Sequence, residues 1–100
     1  MATFLFTYRT AKDYVLGQPE GNAAWTAWFT SMADSVTDIG RPVSESAAVG
    51  ELGDGTKFGG YSIITAEDLE SAVALAKGCP ALQQGGGVEG GALADLPDGT

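Results

Sequence analysis

The sequence predicts an α+β fold: a four-stranded antiparallel sheet with two helices packed on one face. Three observations predict it. Residues 22–40 and 65–77 carry apolar side chains at helical spacing. Four shorter segments are strand-like, rich in β-branched or aromatic residues or alternating in polarity. These six elements fall in the order β-α-β-β-α-β, the split βαβ pattern. One hundred residues suit a single domain. It is expected over residues 1–96, with the final "PDGT" (97–100) as a frayed tail.

"TFLFTYR" (3–9) is the first strand, with Phe4, Phe6 and Tyr8 on one face and Leu5 on the other. "TAKDYVLGQPEG" (10–21) reads as a loop closed by Gly17, Pro19 and Gly21. The first helix is expected over 22–40, capped by Asn22. Trp25, Trp28, Phe29, Met32, Val36 and Ile39 form its apolar stripe, and Gly40 and Pro42 end it. "VSESAAVGEL" (43–52) alternates weakly and is the expected second strand, followed by a turn at "GDGT" (53–56). "KFGGYSIIT" (57–65) is the third strand, with a bulge or close backbone approach at Gly59 and Gly60. Thr65 is the expected cap of the second helix, with Asp68 three residues on. Leu69, Ala72, Val73 and Ala76 are its expected buried stripe, and Gly78, in a left-handed conformation, and Pro80 its stop. "GVEGGALADL" (87–96) is a last strand diluted by Gly90 and Gly91.

This is the ferredoxin-like arrangement. Both helices lie on one sheet face, so the other exposes apolar and aromatic side chains. A second copy of the chain, sheet against sheet about a two-fold axis, is the usual remedy. A homodimer is therefore expected.

Net charge is −8, with five basic residues against thirteen acidic ones. The five are scattered, which argues against nucleic acid and anionic membrane as partners. Cys79 is the one cysteine, so no disulfide forms within the chain, and a cytoplasmic location is expected. There is no histidine, which removes the commonest general base and metal ligand. The apolar start has no basic region before it, so it is not read as a signal peptide. No apolar run is long enough to span a membrane.

"FLFTYR", the double-tryptophan helix "WTAWFTSM", "GGYSIITAEDLESAVALAKGCP" and "GGGVE" together resemble the YCII-related family, more narrowly its small actinobacterial members. The resemblance reaches to about Leu93 and rests on order and spacing. It implies a dimeric α/β barrel with a pocket in each subunit between sheet and first helix. Most members have no known function, and one branch acts on chlorinated hydroxyquinol-type aromatics. The family's proposed enzymes use a histidine in the first helix paired with an aspartate. Here Trp28 stands at the histidine position, and indole cannot exchange a proton at neutral pH. The Asp-Gly-Pro-Phe motif of another branch is missing. Where relatives often end in "VEVYEA", Glu89 is followed by Gly90 and Gly91.

Candidate ligand-binding residues are Tyr8, Arg9, Trp25, Trp28 and Tyr61. Trp25 and Trp28 can stack on a flat ligand, although a helix stripe of this kind is ordinarily core. An intermediate arrangement puts Phe29 and Met32 in the core and one tryptophan at a pocket mouth. Tyr8 and Arg9 end the first strand, where a hydrogen bond and a carboxylate clamp can be offered. Their plainer reading is a half-buried tyrosine and a surface arginine. Tyr61 and Ser44 or Ser46 can face the same space. Asp34 with Asp38, and Glu67, Asp68 and Glu70, are read as polar faces and a cap. No metal and no cofactor are expected, because nucleotide-binding glycine spacing and calcium-loop ligands are both missing. Cys79 follows a helix C-terminus, where a thiolate is disfavoured, and is read as packing.

Two functions follow. One is a homodimer binding a small aromatic or cyclic ligand without catalysis. The alternative is a small dimeric-barrel enzyme, an isomerase, lyase or dehydrochlorinase-like protein, acting on a cyclic or aromatic acid without a catalytic histidine. The missing histidine favours the first.

Overall fold

The structure is a computed structural model that describes residues 1–15, 19–53 and 55–95. Its elements are β1 (Ala2–Ala11), α1 (Pro19–Ser31), β2 (Val36–Asp38), β3 (Thr56–Ala66), α2 (Leu69–Ala76) and β4 (Gly87–Ala92). Two 3-10 turns, Ala33–Ser35 and Pro80–Gln83, join them. The sheet order is β2-β3-β1-β4, antiparallel throughout. This is the expected four-stranded, ferredoxin-like α+β architecture. The expected tail, 97–100, and Asp54 of the expected turn lie outside the described residues.

The alternation read in β1 holds. Phe4, Phe6 and Tyr8 are buried beneath the helices with Ile64 and Ala66 of β3, while Leu5 points to the other face. Trp28 and Met32 complete this core from α1 and the residue after it, and Ala72, Cys79 and Ala81 close it from the second half. Gly90 lets β4 lie close over the Phe6 ring. A Cβ there would lie 3.1 Å from the Phe6 ring, which would have to shift slightly to admit it.

Two expected elements are corrected. The first helix stops at Ser31, whose Oγ donates to Trp28 O at 2.6 Å. After one 3-10 turn the chain becomes β2, and Val36 pairs with Ile64. The second strand is therefore 36–38, not 43–52. Val36, Thr37 and Ile39 favour an extended chain, and the edge of β3 supplies partners that a longer helix would forgo. The 43–52 segment is irregular; it follows a Pro42–Gly60 bridge and touches the sheet through the Val43 N–H, which donates to Gly59 O at 3.0 Å. It has no apolar face to bury, since Val49 and Leu52 are 91% and 64% exposed. The helix begins at Pro19, so Asn22 lies inside α1 and does not cap it.

The second helix is capped by Asp68, not Thr65. Thr65 stays in β3 opposite Thr3, while the Asp68 carboxylate accepts from Ser71 N–H at 2.8 Å. The buried stripe is Ala72 with half-buried Leu75 and Ala76, whereas Leu69 and Val73 are exposed. Gly78 is not left-handed; it leaves room for the Trp28 ring, which a Cβ would approach to 3.1 Å. Hydrogen bonds from Ser71 hold the Asp68 carboxyl below its ordinary value of 3.8. Because the folded value is depressed, the cap contributes fully above the unfolded value and fades as pH falls through the folded one. Asp68→Ala is expected to lower the thermal midpoint at about pH 7 and to leave it unchanged near about pH 2, as read by circular dichroism.

The sheet face away from the helices carries Leu5, Arg9, Phe58, Tyr61 and Ile63, all half-buried by their neighbours in the sheet. Among the described residues no element covers that face, and no helix is long and apolar enough to cross a membrane.

Candidate functional site

A cavity of about 380 Å³ opens between the sheet and α1. Its floor is the end of β1, where Tyr8 and Thr10 lie two apart on one strand face. Trp25 and Phe29 of α1 form one wall, and Tyr14 lies between strand and helix. The opposite wall is Ile39–Pro42, the segment after β2, laid against the start of β3.

That wall depends on two glycines. β3 bulges where Tyr8 pairs with Gly60 and Arg9 with Phe58, leaving Gly59 as the extra residue. Gly60 has φ +156, and a Cβ on it would lie 2.9 Å from Arg41 O. Gly40 has φ +72, and its Cβ would lie 1.8 Å from Tyr61 O. Both positions need the missing side chain, so the Ile39–Pro42 backbone can rest directly on β3. The Ser62 hydroxyl pins it by donating to Ile39 O at 2.6 Å.

The aromatic rings form one connected cluster. Tyr8 meets Trp25 edge-to-face at 4.9 Å and Trp28 at 5.8 Å, and Phe6 stacks on Trp28 with an 11° tilt. Trp25 donates its indole N–H to Gln84 Oε1 at 3.3 Å, which holds the ring at the cavity wall. Trp28 donates to Leu75 O at 3.1 Å and is 7% exposed. Trp28 is therefore core and Trp25 faces the cavity; Met32 is buried as expected, but Phe29, expected in the core, is half-buried and lines the cavity beside Trp25.

Of the five candidate residues, Tyr8, Trp25 and Tyr61 line the cavity, and Arg9 and Trp28 do not. Arg9 follows Tyr8 in the strand and so takes the other sheet face. There it donates to Thr56 Oγ1 at 3.0 Å and Thr56 O at 2.8 Å. Tyr61 pairs with Thr7, which assigns its side chain to that same open face, so it meets the cavity at the edge beneath Gly40. Ser44 and Ser46 are exposed and outside it. Sequence reasoning missed Thr10, Tyr14 and the Ile39–Pro42 wall. The one signal for them was the double glycine, which implies that another backbone lies close.

Burial pushes the Tyr8 hydroxyl well above the ordinary tyrosine range; the nearby Ser62 hydroxyl acts against the rise and Cys79 adds to it. Tyr8 is therefore a proton donor in hydrogen bonds and not a base. Burial likewise pushes the Cys79 thiol up to about 11, so it is no thiolate at neutral pH. Among the described residues no carboxylate lines the cavity and no cluster of metal-ligating side chains occurs. Asp38 accepts from Gly40 N–H at 2.9 Å, a turn-stabilising role.

No family model matches the chain, and no curated protein sequence matches it. Among solved structures it is similar to 5-chloro-2-hydroxyhydroquinone dehydrochlorinase (TftG) from Burkholderia phenoliruptrix AC1100, solved in complex with 2,5-dihydroxybenzoquinone. The TM-score is 0.61 at 18% identity, covering 87% of this chain and 90% of that one. At that identity the likeness establishes the shared fold alone: the chain is a small α+β protein of the ferredoxin-like kind.

Proposed function

We propose that the chain is a YCII-related, cytoplasmic homodimer that binds a small aromatic or cyclic ligand between the sheet and α1. The observation that carries this reading is the cavity itself. Apolar cavities of about 150 Å³ already hold one benzene ring. About 380 Å³ thus leaves room for substituents or a second ring. Tyr8, Trp25 and Tyr61 are the proposed contacts. Trp28 supports them from the core, and Arg9 orders the start of β3. The neighbour's 2,5-dihydroxybenzoquinone is a single oxygenated ring of a size this volume accommodates.

The dimer reading rests on the uncovered sheet face, where Leu5, Phe58 and Ile63 lie together. A second reading, an enzyme acting on such a ring, is favoured by the neighbour's dehydrochlorinase activity. Against it stands the lining itself, which among the described residues holds no histidine and no carboxylate.

Native mass spectrometry tests the assembly, and ligand-detected NMR with p-cresol tests the cavity. The expected results are a dimer and saturable p-cresol binding that Trp25→Ala weakens about tenfold. A monomer overturns the dimer. Binding of p-cresol that Trp25→Ala leaves unchanged overturns the assigned cavity.

A further inference from the structure

The cavity has a continuation outside the sheet. An open groove runs along the flank of α1 beside β2 and meets the cavity at Trp25, Phe29 and Ile39, which line both. Beyond them its walls are Thr26, Thr30, Ala33 and Val36. Trp25, Thr26, Phe29 and Thr30 share one face of α1, and Ala33 extends that line into the 3-10 turn. At the helical rise per residue, the groove is about 12 Å long from Trp25 to Ala33.

The packing of α1 explains why the groove is open. Trp25 donates to Gln84 Oε1 at 3.3 Å and Trp28 to Leu75 O at 3.1 Å, so both indoles draw the helix toward the second half of the chain. Gly78 permits that approach, since a Cβ there would lie 3.1 Å from the Trp28 ring. On the other flank, among the described residues, no hydrogen bond joins α1 to β2. The chain carries a net charge of −8, yet among the described residues no charged side chain lines the groove. Trp25, Phe29 and Val36 stay half-buried, and Ile39 is 55% exposed. The Thr30 hydroxyl is already bound to Thr26 O at 2.8 Å. Such a surface suits hydrocarbon rather than a charged group.

We infer that cavity and groove form one bipartite site, whose ligand is a ring bearing an uncharged alkyl or alkenyl chain. The inference rests on the ring-binding reading above. The ring occupies the cavity, and the chain passes Ile39 and lies against Thr26, Thr30 and Ala33. The shared lining names the occupant. A chain attached to the cavity's ligand is held beside the groove by its ring, whereas a separate molecule must be captured from solution. Once there, the chain takes the open surface of Phe29, Val36 and Ile39 out of water.

The matched probes are p-cresol and p-pentylphenol, which share a ring and differ by four methylene groups. The wild-type protein is expected to bind p-pentylphenol about ten- to a hundredfold more tightly. Thr26→Glu with Ala33→Glu sets two carboxylates in the groove, at exposed positions that do not line the cavity. In that double variant p-cresol affinity is expected to be unchanged and the gain from the pentyl chain to be lost. Ligand-detected NMR reads the affinities, and native mass spectrometry reads the assembly. A wild-type gain below about threefold overturns the inference, as does a gain that survives the two carboxylates. So does loss of p-cresol binding in the double variant, which would show that cavity and groove are not separable parts. A double variant that is monomeric where the wild type is dimeric gives the groove to a second copy of the chain and overturns the inference too. These outcomes leave the ring-binding reading standing, whereas failure of both probes to bind the wild type removes it as well.

Discussion

Trp28→Ala is expected to cost about 3–5 kcal/mol of folding stability, a large share of what a small domain has. The indole is stacked on Phe6, edge-on to Tyr8 and 5.0 Å from Phe29. Its N–H is bound to Leu75 O at 3.1 Å, so it ties α1 to the end of α2. Truncation opens a cavity and removes one of the two donors to that carbonyl, which keeps the Gly78 N–H at 3.3 Å. Urea denaturation followed by circular dichroism measures the loss. Trp28→Phe should recover part of it by refilling the space without the hydrogen bond. A loss below about 1 kcal/mol for the alanine variant would contradict the assignment of this indole to the core.

Gly40→Ala is expected to damage stability and ligand binding together. The residue sits at φ +72, and the added Cβ would be 1.8 Å from Tyr61 O, which is backbone and cannot step aside. The Ile39–Pro42 wall must then lift from β3, breaking the Ser62 bond to Ile39 O. The expected loss is about 2–4 kcal/mol with p-cresol binding reduced at least about tenfold. Gly55→Ala is the control, because nothing lies within 4 Å of its added methyl. Chemical denaturation and ligand-detected NMR on both variants decide the matter. Equal effects at positions 40 and 55 would rule out the wall as the element that shapes the cavity.

Much of the fold was legible because side-chain period and special residues act locally. Phe4, Phe6 and Tyr8 are aromatic at every second position, and a spacing of two puts side chains on one face of a strand. Trp25, Trp28, Phe29 and Met32 repeat at helical spacing, so α1 was plain. The misread segment is instructive. Val36 and Ile39 continue the spacing from Met32, so the helical pattern runs unbroken through residues that form β2. Val36 serves the core either way. Pairing with Ile64 and the preference of β-branched residues for extended backbone decide between the two. Thr65 and Asp68 are both good caps, and only the pairing of Thr65 with Thr3 leaves the task to Asp68.

The site was legible in part for the same reason. Tyr8 and Trp25 could be named as aromatic side chains near a strand end and on a helix stripe. That Arg9 must face away follows from strand alternation once Tyr8 is known to face the helices. The separation of Trp25 from Trp28 could not be read, because both lie on one stripe and only the packing of α2 shows which is enclosed.

By itself, then, the sequence determined the element order, the aromatic core, the glycine bulge and the lack of a histidine base. These depend on residue type and short-range spacing. Tertiary structure alone decided where α1 ends, which segment takes the edge of β3, and which tryptophan faces the cavity. It also decided that α1 is drawn to the second half of the chain and leaves a groove beside β2. What a side chain meets depends on what stands opposite, and that is set by strand register and a backbone laid across two glycines from another part of the chain.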